Sequence, residues 1–206
     1  RHGGDIAGIT KHLDYLTELG ITALWLNPVL ENNQKEESYH GYAITDFYAV
    51  DPRFGSTQDY VNLVEACHNK GIKVVKDIVL NHIGLHHPWN TQQPTPDWFN
   101  NWAEYTNTNF RATTLIDPYA SEYDRSIFAN GWFNPAMPDL NQKNQYVANY
   151  LIQAHIWWIE TAKIDGFRID TYPYPDQEFA NNFIRAIKAE YPEFTLFGET
   201  WVHGNA

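Results

Sequence analysis

Apolar positions along the first third of the chain switch between two periods. Ile6, Ile9, Leu13, Leu16 and Leu19 recur at helical spacing and stop at Gly20, a residue suited to a left-handed cap, which predicts a helix over about 6–19. Ile21-Thr22-Ala23-Leu24-Trp25-Leu26 follows at once, too short for a second helix, rich in β-formers and stopped by Asn27-Pro28. It reads as a fully buried strand. The pair then repeats: Ser56 caps a helix through Val61, Val64 and Cys67, Gly71 ends it, and 72–80 forms the next strand. A helix over about 144–162 leads to a strand at 164–170, and another over about 176–190, stopped before Pro192, leads to a strand at 194–199.

Helix and near-continuous apolar strand thus alternate four times, the pattern of a parallel sheet covered by helices. The class is α/β. Asn81-His82, Asp170 and Glu199 stand at the C-terminal tips of their strands, where parallel α/β barrels carry their active sites. An open doubly wound sheet is the competing architecture, but none of these strands is followed by its Gly-rich phosphate loop. Between His82 and about Lys143 the periodicity lapses for some sixty residues, too many for a simple βα loop. Trp89, Trp98, Trp102, Tyr105, Tyr119, Tyr123 and Trp132 make this stretch too aromatic for a disordered linker, so it reads as a subdomain overhanging the strand ends. The expected division is a first barrel part over 1–82, an inserted subdomain over 83–143 and a continued barrel over 144–206.

The chemistry concentrates in Gly166-Phe167-Arg168-Ile169-Asp170. Residues two apart on a strand face the same way, so Arg168 and Asp170 share one face of an apolar segment. Burying that pair costs several kcal/mol unless something is built around it. With Glu199 ending the next apolar run, two strand-end carboxylates suggest paired acid chemistry. The competing readings, less favoured, are a buried ion pair bracing the sheet for Arg168 and Asp170 and an ordinary surface carboxylate for Glu199. Composition narrows the partners. The 14 basic and 25 acidic side chains leave a net charge of −11, which repels phosphate backbones and anionic lipid. No nucleic-acid partner and no membrane insertion are expected, as no apolar run reaches spanning length. The single Cys67 excludes an intrachain disulfide and sits among apolar neighbours. Eight Trp interleaved with Asn, Asp, Gln and His would suit sugar rings, or would fill a large core. His82, His86 and His87 lack the acidic or Cys partner a zinc site needs.

Taken together these residues resemble the α-amylase family of glycoside hydrolases. Gly20-Ile21-Thr22-Ala23-Leu24-Trp25-Leu26-Asn27-Pro28 resembles the family's second-strand motif, and His40-Gly41-Tyr42 with Asp46 the loop beyond it. Asp77-Ile78-Val79-Leu80-Asn81-His82, Gly166 to Asp170 and Gly198-Glu199 resemble the third, fourth and fifth. Met137-Pro138-Asp139-Leu140-Asn141 and Glu199-Thr200-Trp201 are similar to the neopullulanase and cyclomaltodextrinase branch. Gly131-Trp132-Phe133 and Asp170-Thr171-Tyr172-Pro173-Tyr174-Pro175 add a likeness to neopullulanases of Bacteroidetes starch-utilisation systems.

The resemblance implies a partial (β/α)8 TIM barrel, about strands 2 to 5, with the subdomain inserted after strand 3. It implies retaining hydrolysis of α-1,4-glucosidic bonds in maltooligosaccharides, cyclomaltodextrins, pullulan or starch, with Asp170 as nucleophile, Glu199 as acid and base, and Arg168 keeping Asp170 ionised. Retention would need the two carboxyls about 5–5.5 Å apart. Tyr42 and Trp201 are implied as substrate platforms and His82 as a sugar contact, with Asp77 making hydrogen bonds beneath the site. No organic cofactor is implied. A Lys-His pair that serves calcium in many relatives is replaced by Pro173-Tyr174, although Asn81 matches a usual ligand; Gly3-Gly4-Asp5 resembles half of the branch's own Ca2+ loop, so Gly3 and Asp5 are the candidate metal residues. Strands one, six, seven and eight and the family's third carboxylate have no counterpart, so the segment reads as an excerpt of a longer enzyme, with little activity and two open sheet edges when isolated. A homo-oligomer is compatible with the branch, and the bacterial periplasm or cytoplasm is the expected compartment. A transglycosylase or isomerase of the same family, or a non-catalytic glucan-binding homologue, remains the alternative.

Overall fold

A computed structural model gives the structure of the protein and describes residues 3–35 and 39–201. The first predicted helix is two: α1 (Ile6–Lys11) and α2 (Leu13–Glu18). The break lies at His12, whose ring Nδ1 donates to the Gly8 carbonyl at 2.8 Å while its own N–H turns to Ile9 O at 2.9 Å. A side chain has taken the carbonyl that the helix ladder would have used. Gly20 then takes a φ of +84°, the left-handed conformation its position requires.

After β1 (Ala23–Leu26) comes a hairpin that the apolar pattern does not announce, β2 (Leu30–Glu31) antiparallel to β3 (Asp46–Val50). Asp51 stitches its base, accepting from the N–H of Asn32 at 3.0 Å and from Arg53 Nε at 2.6 Å. Helix α3 (Thr57–His68) starts in a full capping box, Ser56 with Asp59, and leads to β4 (Lys73–Val79). Over 83–143 the chain makes two 3-10 turns (Pro88–Asn90 and Ala112–Leu115) and α4 (Glu122–Asn130). A bridge between His82 and Asp139 and the Leu140 N–H on Asn81 O at 2.9 Å tie this stretch to the tip of β4, a bridge between Phe99 and Leu140 closes it on itself, and Trp98, Phe99 and Leu140 join the common core. Then come α5 (Gln145–Ala162), β5 (Gly166–Asp170), α6 (Gln177–Glu190) and β6 (Thr195–Gly198).

Strands β1, β4, β5 and β6 form one all-parallel sheet in that order. A flat sheet would hold its outer strands roughly 14 Å apart, at about 4.8 Å per step. Yet Trp25 of β1 and Phe197 of β6 meet edge to face with centroids 6.1 Å apart. The sheet is therefore curled, with Trp25, Asp77, Arg168, Asp170 and Phe197 on its concave face. The expected burial of the 21–26 strand is corrected: β1 is a flanking strand here and Trp25 is 54% exposed, whereas β5 is buried at every residue.

The convex face carries one charge. Lys76 is 1% exposed and its ammonium has no hydrogen-bond partner among the described residues. It lies 4.3 Å from the ring centre of Trp158 on α5 and 5.3 Å from that of Tyr60 on α3. Burial lowers its pKa to about 7, against the raising effect of Asp77. A base whose pKa falls on folding costs most below the folded value, and the cost fades as pH climbs towards the unfolded value near 10.5. Lys76→Met is therefore expected to raise stability in urea unfolding by about 1–3 kcal/mol at pH 7. That advantage should shrink steadily between pH 7 and pH 10.

Candidate active site

The register of the two central strands sets Asp77 beside Arg168, and Asp170 two residues further on the same face. The Arg168 guanidinium then reaches three carboxylates. Its Nη1 donates to Asp77 Oδ1 at 2.9 Å and to Asp170 Oδ1 at 2.7 Å, and its Nη2 lies 2.5 Å from Glu199 Oε1. Tyr42 and Trp25 flank it, their ring centres 5.7 and 5.3 Å from Cζ. Both rings also serve Asp77: Trp25 Nε1 donates to Oδ2 at 3.0 Å and the Tyr42 hydroxyl at 3.2 Å. Glu199 arrives at the end of β6 and accepts the Thr171 N–H on Oε2 at 3.1 Å. One side chain therefore bridges Asp170 and Glu199, and Asp77 makes the hydrogen bonds beneath the site that its position implied.

One cation against three carboxylates is an unbalanced charge count in a largely buried place. Burial pushes the Asp170 carboxyl up to about 7; Arg168 opposes this, and the charges of Glu199 and Asp77 add to it. Asp77 is raised too, mainly by burial, with Arg168, Trp25 and Tyr42 pulling it down. Arg168 pulls the Asp170 carboxyl towards its charged form in the direction expected, but burial is the larger effect and the net direction is upward.

His82 is buried beside the cluster, donates from Nε2 to the Tyr42 carbonyl at 3.2 Å, and leaves Nδ1 without a partner among the described residues. Burial lowers its pKa to about 4, so the ring is neutral. Tyr42 stacks on His40 with centroids 5.8 Å apart. Trp201 stands beyond Glu199, edge-on to Phe133 and Tyr174, and lines a cavity of about 630 Å3 with Phe110, Ile116 and Tyr172. The structure thus gathers Asp77, Asp170, Glu199 and Tyr42 around the Arg168 guanidinium, with His82 beside Tyr42 and Trp201 to one side. Trp25, Phe133 and the Thr171 N–H adjoin these residues, and the motifs that contain them gave them no role there. Trp25 could have been found, since it shares the concave face with Asp77 by strand alternation; the other two depend on how the chain turns.

Gly3 and Asp5 lie at the start of α1, away from this cluster. Asp5 Oδ1 caps the helix, accepting the Gly8 N–H at 2.6 Å. Two residues fall short of the six to eight oxygens that calcium takes. No group of three or more His, Cys, Asp or Glu gathers for a metal among the described residues. Gly3 and Asp5 are half of the loop they resemble, and a calcium site is not shown among the described residues.

The family model described as the alpha amylase catalytic domain matches residues 1–205. The chain belongs to the α-amylase family. A cyclomaltodextrinase of Geobacillus thermopakistaniensis is 35% identical over 202 residues, which are 97% of this chain and 32% of that protein. A maltogenic α-amylase of Bacillus acidopullulyticus is 31% identical over 206 residues, again 97% of this chain and 32% of the relative. The crystal structure of the Geobacillus thermoleovorans α-amylase complexed with acarbose superposes with a TM-score of 0.82 and 39% identity, covering 97% of this chain and 41% of that one. The chain spans about a third of the length of the curated relatives it matches. Its curled parallel sheet is accordingly part of the α-amylase (β/α)8 barrel.

A carboxyl whose pKa rises on folding contributes stability below its unfolded value, and that contribution is lost as pH climbs through the folded one. For Asp170 the window runs from the ordinary 3.8 to about 7. Asp170→Asn is expected to flatten the fall in stability across that window and to be more stable than the parent above pH 7, by about 1–3 kcal/mol in urea unfolding.

Proposed function

We propose that the protein carrying this chain is a retaining α-glucan hydrolase that cleaves α-1,4-glucosidic bonds in maltooligosaccharides, cyclomaltodextrins, pullulan or starch. The observation that carries this reading is the bridging of two strand-tip carboxyls, Asp170 and Glu199, by one guanidinium. Asp170 attacks the anomeric carbon and forms a covalent glycosyl-enzyme while Glu199 gives its proton to the departing glycosidic oxygen. Water, deprotonated by Glu199, then releases the sugar with its configuration kept. The reaction requires Asp170 to be charged beside Arg168 and Glu199 to carry the proton it donates. Tyr42 offers a flat face to the ring being cleaved, His82 a neutral contact beside it, and Trp201 a platform on the leaving-group side.

Residues 83–143 act in this reading as a subdomain over the strand tips, set between barrel parts over 1–82 and 144–206. The chemistry needs no organic cofactor, and no step passes through a metal. Binding of α-glucan leans on apolar ring faces and not on charge, in keeping with a net charge of −11.

The test is product analysis by the full-length protein on pullulan, cyclomaltodextrin and maltooligosaccharides. The expected first product is the α-anomer, seen by proton NMR before mutarotation. Glu199→Gln should lower kcat on maltooligosaccharides by about 10²–10⁴-fold, and Asp170→Asn by at least as much. A parent protein that binds these glucans without turning them over would refute the reading.

A further inference from the structure

The turn after β5 is strained, and the strain is aimed. Thr171 has a φ of +46°, uncommon for any residue but glycine and costly for a β-branched one. It holds this conformation because its neighbours fix it from both sides. The Tyr174 N–H donates to the Thr171 carbonyl at 3.0 Å, and the Tyr174 ring stacks on Phe128 of α4 with centroids 4.4 Å apart. The Tyr172 ring lies across the end of β6, in space left free by Gly198; a Cβ there would come within 2.4 Å of it. The reversed φ folds the chain back over β6, so that two successive N–H groups meet one residue. Thr171 N donates to Glu199 Oε2 at 3.1 Å and Tyr172 N to the Glu199 carbonyl at 3.1 Å. Glu199 N returns a bond to Ile169 O at 2.8 Å.

We propose that the Thr171–Tyr172 turn is a positioning device for Glu199, which holds both the main chain and one carboxyl oxygen of the proton donor in place beside Asp170. The inference rests on the hydrolase reading above. Thr171 touches no reacting atom; it acts through Glu199. Arg168 holds Oε1 and the Thr171 N–H holds Oε2, so the carboxyl has one orientation. A donor on Oε2 favours the charged form of the acid, which develops as the proton leaves. Its effect must therefore depend on how much the leaving group needs that proton.

That dependence is the test. An amide-to-ester exchange at Thr171 deletes the N–H alone, whereas Thr171→Gly keeps it and accepts the left-handed φ. In the full-length protein, the ester should lose roughly tenfold or more in kcat on maltooligosaccharides, and less than about threefold on α-maltosyl fluoride, whose fluoride departs without a proton. Thr171→Gly, which keeps the N–H, should lose less than the ester on maltooligosaccharides. Gly198→Ala, which displaces the Tyr172 ring, should reproduce the split and serves as a second variant should the ester fail to fold. Equal losses on both substrates, or no loss on either, would overturn the inference while leaving the hydrolase reading intact. A parent inactive on both substrates would overturn the hydrolase reading and this one with it.

Discussion

Everything in the site is arranged around a single buried positive charge. Arg168 stands on the most buried strand of the sheet and holds one acid from β4, one from its own strand and one from the end of β6. Such a group would be a liability in an apolar interior. It is tolerated because it is matched by the carboxylates of Asp77, Asp170 and Glu199 and by the rings of Trp25 and Tyr42 beside it. The same arrangement leaves the cluster short of positive charge, and burial, helped by the neighbouring carboxylates, pushes the Asp170 carboxyl up to about 7.

The helices and strands were legible because their boundaries depend on local chemistry. Ser56, Gly20 and Gly71 mark ends that backbone geometry imposes wherever the chain is placed. The hairpin over 30–50 was not legible, because its short β2 is fixed by Asp51 and Arg53 from outside the strand. His12 broke a helix whose apolar spacing is intact, since the competing interaction is a polar ring bond that periodicity does not register. The burial of β1 was overestimated for a related reason: an apolar run says that a strand suits a buried place, and not which neighbours cover it.

For the site, the motifs singled out Asp170, Glu199 and Arg168, and alternation along β5 was enough to put Arg168 and Asp170 on one face. What they could not convey was the balance of forces. A neighbouring cation suggests an ionised Asp170, but the outcome depends on how many acids share that cation and how little water reaches them. The grip on Glu199 was hidden as well, because it comes from main-chain N–H groups in a turn where threonine stands at a position that favours glycine.

The alternation of charge along β4 has a consequence for folding. Lys76 faces an aromatic cage on the helix side, and its neighbour Asp77 faces Arg168 on the other. Were this strand to pair one residue out of step, the ammonium would meet the guanidinium and the carboxylate would be driven among Trp158 and Tyr60. Misaligned pairings are thereby penalised on both faces at once, so the two adjacent charges act as a check on alignment while the sheet assembles.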